Sequence, residues 1–150
     1  MHGPSWIGGI LQRESLPVLE AAMSFAHQRQ ALISHNIANV NTPLYKRQAL
    51  DDNRFRATLR NAIDEREDWH WNRFSPRDEF TLAWSRNSNA VHARVLPGQD
   101  QGPERHDRNT VVIEHELADL AKNTLYMQSL QQLYKKFTGQ VKMAVRERIG

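Results

Sequence analysis

The chain has no cysteine in 150 residues. Disulfide frameworks and thiolate metal sites are therefore excluded, and the absence suits a reducing and an oxidising compartment alike. It also lacks any apolar run near the ~20 residues that a membrane-spanning helix needs. Hydrophobic residues make up 39% of the chain and the mean hydropathy is −0.70, low for a compact enzyme of this size. So little core for so much surface points to an elongated shape, or to folding completed against a partner. An excess of charge of either sign is lacking too. The net charge is +3 and the pI is near 9.5, whereas a dedicated nucleic-acid binder concentrates its basic residues more strongly. The opening residues, MHGPSWIGGILQRES, hold no basic n-region and no long h-region. They are not read as a signal peptide, and any departure from the cytosol is expected to use a route without an ordinary cleaved leader.

What is present falls into three segments. Residues 1–14 read as an irregular lead with Gly3, Pro4, Gly8 and Gly9. From 15 to about 40 one helix is expected, with Ser15 as N-cap and Pro17 in the first turn. Leu19, Met23, Ala26, Gln30, Ile33, Ile37 and Val40 recur at steps of four and three, a heptad-like seam with one polar member. Residues 51–110 carry ten arginines, eleven acidic residues and no lysine. This middle is expected to hold a short helix with Phe55, Leu59 and Ile63 on one face, a strand in EFTLAW ending at Trp84, and a loop in PGQDQGPERHDRNT. From 111 to 149 the helical period returns through Ile113, Leu117, Leu120, Thr124 and Met127. After a three-residue slip it continues through Leu130, Tyr134, Phe137 and Val141. The expected fold class is mainly α: one domain over 1–150 in which long N- and C-terminal helices pair as a coiled-coil-like hairpin, Ile33 and Ile37 facing Leu117, Leu120 and Leu130. The short helix would cap one end of the pair, and the irregular insert would lie outside it.

Motifs that could carry chemistry do not hold up. HELAD, His115 to Asp119, has Asp119 where a zinc-protease helix needs its second histidine. His70, His92 and His106 show no ligand spacing. No Gly-x-Ser-x-Gly turn or Gly-rich phosphate loop occurs. The acids of the middle are mixed with arginines and read as solvated faces. No catalytic residue, metal ligand or cofactor is assigned, and the chain is not expected to be an enzyme.

The unusual stretch is SHNIANVNTPLYKRQ, Ser34 to Gln48. Asparagine is a poor helix former, because its side chain competes for nearby backbone groups. Asn39 and Asn41 suit a helix end, and Thr42–Pro43 stops the helix, since proline drives the preceding residue out of the α region. Asn36 lies off the seam, so it is expected to serve contacts with a neighbouring chain. The stretch resembles the N-terminal signature of bacterial flagellar rod and hook axial proteins, S-x-N-[IL]-A-N-x-x-T-P-G-Y-K. Ser34, Asn36, Ile37, Ala38, Asn39, Thr42, Pro43, Tyr45 and Lys46 fall on it. The segment from Asn109 resembles the C-terminal helix of the proximal-rod (FlgB) family through Asn109, Val111, Ile113, Glu114, Glu116, Leu117, Leu120, Ala121 and Asn123. Leu44 departs from the usual glycine, at a place where a type II turn would need positive φ. Val112 stands where aspartate is typical, and the middle matches nothing.

The resemblance implies a structural subunit of the flagellar proximal rod. It would be exported without a cleaved leader by the flagellar type III apparatus, would assemble in the periplasm through its terminal helices, and would bind no cofactor. Implied partners are further copies, the other rod proteins FlgC, FlgF and FlgG, and the rod base and MS ring. Neither nucleic acid nor membrane insertion is expected. The assembly motif would be Ser34, Asn36, Ile37, Asn39, Asn41, Thr42, Pro43 and Tyr45. Packing of the C-terminal helix would fall to Ile113, Glu116, Leu117, Leu120, Asn123, Met127, Leu130 and Phe137. The alternatives are a small coiled-coil module with an unrelated protein partner, or an arginine-rich nucleic-acid binder.

Overall fold

A computed structural model describes residues 5–67, 82–84, 91–98 and 106–149. In chain order the elements are α1 (Ser5–Ala38), β1 (Gln48–Ala49), α2 (Asp52–Glu67), β2 (Leu82–Trp84), β3 (Val91–Ala93), β4 (Leu96–Pro97) and α3 (Ile113–Ile149). The protein is mainly α, and its long first and last helices pack on each other. They run antiparallel: Asn36 meets Glu116, Gln30 meets Asn123, and Leu19, Ala22 and Ala26 surround Leu130. Met23, Met127, Tyr134 and Phe137 pack against this last cluster.

The seam of α3 has a different phase from the one its apolar residues suggest. Its inward positions are Glu116, Leu120, Asn123, Met127, Leu130, Tyr134 and Phe137, all buried or half-buried. These follow steps of four and three without a slip. Leu117 is 50% exposed, Ile113 is 37% exposed, and Thr124 faces solvent. The expected facing of Ile33 and Ile37 onto Leu117 is therefore corrected, because Leu117 lies outside the seam. Two seam positions are polar, so a search for apolar residues alone lands on the neighbouring face and needs a false slip to rejoin the true one.

Helix α1 buries a second face as well. Ala21 and Phe25 form a cluster with Phe55 of α2 and Val91 of β3, and Val18, Leu50, Leu59 and Ala93 pack against it. Phe25 and Phe55 stack with centroids 4.0 Å apart, and Arg29 pairs with Asp52 at 2.5 Å. The short helix thus lies along the side of α1 and does not cap an end of the hairpin. Its expected face holds at Phe55 and Leu59, while Ile63 is exposed.

The strands form two antiparallel pairs, β1 with β4 and β2 with β3. The expected strand ending at Trp84 is β2, in register Leu82–Ala93 and Trp84–Val91. Unpaired strand edges are reactive toward other strands. Here side chains of α1 cover the edge of β3. Ser24 Oγ bonds both the N–H (3.2 Å) and the carbonyl (3.0 Å) of Val91. Gln28 donates to the same carbonyl and accepts from the Ala93 N–H.

Two further expectations change. Helix α1 begins at Ser5, so the lead is helical from there and Ser15 is no N-cap. Gly8, Gly9 and Pro17 are weak local signals that the longer helix overrides. His70 lies outside the described residues.

Candidate functional site at the junction of the terminal helices

The asparagine-rich stretch forms the end of α1, the turn after it and the approach to β1. Asn39 and Thr42 build the stop: Asn39 Nδ2 donates to the His35 carbonyl at 2.8 Å, and Thr42 Oγ1 donates to Asn39 Oδ1 at 3.2 Å. Leu44 takes φ 61°, the left-handed conformation that the usual glycine would adopt freely. Its N–H donates to the Asp107 carbonyl at 2.9 Å. Asp107 precedes Arg108, the other non-glycine residue of positive φ (54°) among the described residues.

Asn36 is fully buried, contrary to the expectation that chain packing does not need it. Its Nδ2 donates to the Gln48 carbonyl (2.8 Å) and to Glu116 Oε2 (3.1 Å). Its Oδ1 accepts from the Gln48 N–H (3.1 Å) and the Tyr45 hydroxyl (3.0 Å). An amide has two donors and two acceptor sites, and all four are used. Toward Gln48 it acts as a strand partner would, closing the free edge of β1. Heptad reasoning could not find this, because the partners of Asn36 come from the return segment and from α3.

Glu116 is likewise inaccessible. Arg47 Nε donates to its Oε1 at 2.5 Å, and Arg47 Nη2 donates to Asp119 Oδ2 at 3.4 Å. Gly98 covers this guanidinium. Its N–H donates to the Arg47 carbonyl at 2.8 Å, and a Cβ there would stand 2.8 Å from Nη1. Tyr45 is half-buried beside His35, whose Nδ1 lies 2.8 Å from its hydroxyl. Burial first, and then the charge of Glu116, push the Tyr45 phenol above its ordinary pKa.

Asn109 closes the junction from the other side. Its Nδ2 donates to the carbonyls of Asn39 (2.9 Å), Val40 (3.0 Å) and Thr42 (2.8 Å), and its Oδ1 accepts from the Val111 N–H at 2.8 Å. One side chain from the entry of α3 thus binds three carbonyls of the turn that follows α1, those of Asn39 and Thr42 also accepting from the Thr42 and Tyr45 N–H groups. Arg47 and Asn109 are absent from the sequence-based site. Both lay in the stretches that carry the resemblance, and their signal was being polar where the chain must reverse.

The remaining motif residues sit around this core. Ser34, Asn41, Thr42 and Pro43 are exposed and Ile37 is half-buried. Of the C-terminal set, Glu116, Asn123 and Leu130 are buried, Leu120, Met127 and Phe137 are half-buried, and Ile113 and Leu117 face outward. A cleft of about 500 Å³ beside the junction is lined by Arg29, Arg47, Asp51, Asp52 and Asp119, among others, without serine, cysteine or histidine. Among the described residues no group of three or more His, Asp or Glu is placed to hold a metal ion, and no helix is long and apolar enough to cross a membrane. The chemistry of the arrangement is that of a structural fastening. Buried charge and amide bonds tie the N-terminal motif to the C-terminal helix.

No curated protein matches the chain. Residues 16–46, most of α1 and the turn that follows it, match the family model of the flagella basal body rod protein.

Proposed function

We propose that this protein is a structural, non-catalytic subunit of the flagellar proximal rod, of the FlgB kind. In this reading it leaves the cytosol through the flagellar type III apparatus. It assembles in the periplasm with further copies, with FlgC, FlgF and FlgG, and with the rod base at the MS ring. The observation that carries the reading is the convergence at the junction. The segment matched by the rod family does not stand alone: its Asn36 is bonded to Glu116 of α3. The two segments that resemble axial proteins are therefore one physical unit. The exposed remainder of the motif, Ser34, Asn41, Thr42 and Pro43, is free to meet a neighbouring subunit, whereas Asn36 serves the fold that presents it.

The test is deletion of the gene in the bacterium that carries it, followed by purification of basal bodies. Basal bodies without the chain are expected to stop before the rod, and the wild-type gene is expected to restore rods and swimming. Complete rods in its absence overturn the reading. A second arm separates contact from fold. Asn41→Ala should leave stability unchanged and lower rod incorporation, while Asn36→Ala should lower stability itself. An Asn41→Ala protein that swims normally removes Asn41 from the assembly surface.

A further inference from the structure

The α1–α3 seam is broken by one polar pair in its middle. Asn123 is 3% exposed. Its Nδ2 donates to the Ala26 carbonyl at 2.9 Å and to Gln30 Oε1 at 2.8 Å, and approaches Met127 Sδ at 3.9 Å. Its Oδ1 has no partner among the described residues. Leucine here would add apolar burial and leave no orphaned oxygen, so the amide weakens the helix pair. A polar residue at such a seam position can specify register at a cost in stability.

We propose that Asn123 and Gln30 are a positioning pair. They select the register of α3 on α1 that brings Glu116 to Asn36 and Arg47. The heptad spacing leaves two nearby alternatives, a slide of seven residues either way. One slide sets Asn123 level with Ile33, Ile37 and Asn36, whose amide oxygen already holds the Gln48 N–H and the Tyr45 hydroxyl, the other level with Leu19, Ala22 and Met23. Helix carbonyls are available in every register, but the Gln30 acceptor is available in this one alone. The apolar members Leu120, Met127, Leu130, Tyr134 and Phe137 discriminate far less, because each slide offers them further apolar positions. A slide of seven residues carries Glu116 ~10 Å along the axis, out of reach of Asn36 and Arg47. Register at Asn123, one heptad from Glu116, thus decides whether the junction can form. The inference concerns the folded chain and holds whatever assembly it joins.

The experiment is pulsed-dipolar distance measurement with spin labels on Ala31→Cys and Gln140→Cys. Both positions are exposed, and there is no native cysteine to interfere. The labelled wild type is expected to give one distance. In Gln30→Leu/Asn123→Leu, made in the Glu116→Gln background so that the junction's own preference for this register is weakened, a second component should appear, displaced by ~10 Å, with the slipped-to-native ratio raised about tenfold or more over Glu116→Gln alone. The thermal midpoint should be held or raised relative to Glu116→Gln alone, an outcome that a merely stabilising pair would not give. A single unshifted distance in a stably folded triple variant overturns the proposal. Should that variant fail to fold, Asn123→Ala in the Glu116→Gln background decides in the same way: a slipped component supports the pair, and a single native distance overturns it.

Discussion

Glu116→Gln isolates the central charge of the junction with almost no change of shape. In the native structure the carboxylate is inaccessible and accepts from two donors, Arg47 Nε and Asn36 Nδ2. A glutamine accepts through one atom and donates through the other. If its oxygen keeps Arg47, its nitrogen faces the Asn36 nitrogen. Asn36 cannot turn to receive it, because its oxygen already holds the Gln48 N–H and the Tyr45 hydroxyl. Arg47, with a side chain 9% exposed, keeps a single anionic partner among the described residues, Asp119 at 3.4 Å. Removing one partner of a buried ion pair costs about 3–5 kcal/mol. Because Asp119 remains and Gln can still accept once, about 2–4 kcal/mol is expected, a large share of a stability of about 5–15 kcal/mol. Urea unfolding followed by far-UV circular dichroism measures it. The double variant Arg47→Met/Glu116→Leu removes both charges and should lose less than Glu116→Gln alone, since no uncompensated charge then stays buried. A Glu116→Gln loss below about 1 kcal/mol, the level of an ordinary hydrogen bond, would refute the reasoning.

Leu130→Ala, at a 6% exposed seam position, should cost about 2–5 kcal/mol in denaturant unfolding. Leu117→Ala, half exposed, should stay within about 1 kcal/mol, and equal losses would contradict the phase of the seam. Leu44→Gly should raise stability by about 1 kcal/mol by relieving the left-handed strain of a non-glycine residue, read as a higher thermal midpoint. Tyr45 gives a pH signature. Its folded pKa lies above its unfolded one, so its contribution is full below pH ~10 and is lost as pH rises through the folded value. Denaturant midpoints of the wild type should therefore fall more steeply above pH ~10 than those of Tyr45→Phe.

The sequence by itself determined the elements whose cause is local or periodic. Heptad spacing announced both long helices and the α1 face that meets α3. Thr42–Pro43 announced a stop near Val40, two residues past the observed end at Ala38, and Phe55 and Leu59 announced the inner face of α2. Tertiary structure decided what depends on residues far apart in the chain. Asn36 looks like a surface residue on α1 because its partners, Gln48 and Glu116, are brought to it by a chain reversal and by a helix 80 residues away. The α3 seam was misphased for the same reason. Glu116 and Asn123 count as polar in any local reading, and they become interior residues once Arg47, Asn36 and Gln30 supply their hydrogen bonds. A periodic pattern records which residues avoid water on their own account. A buried amide or carboxylate avoids it only when a distant partner satisfies it, and that information lies in the fold.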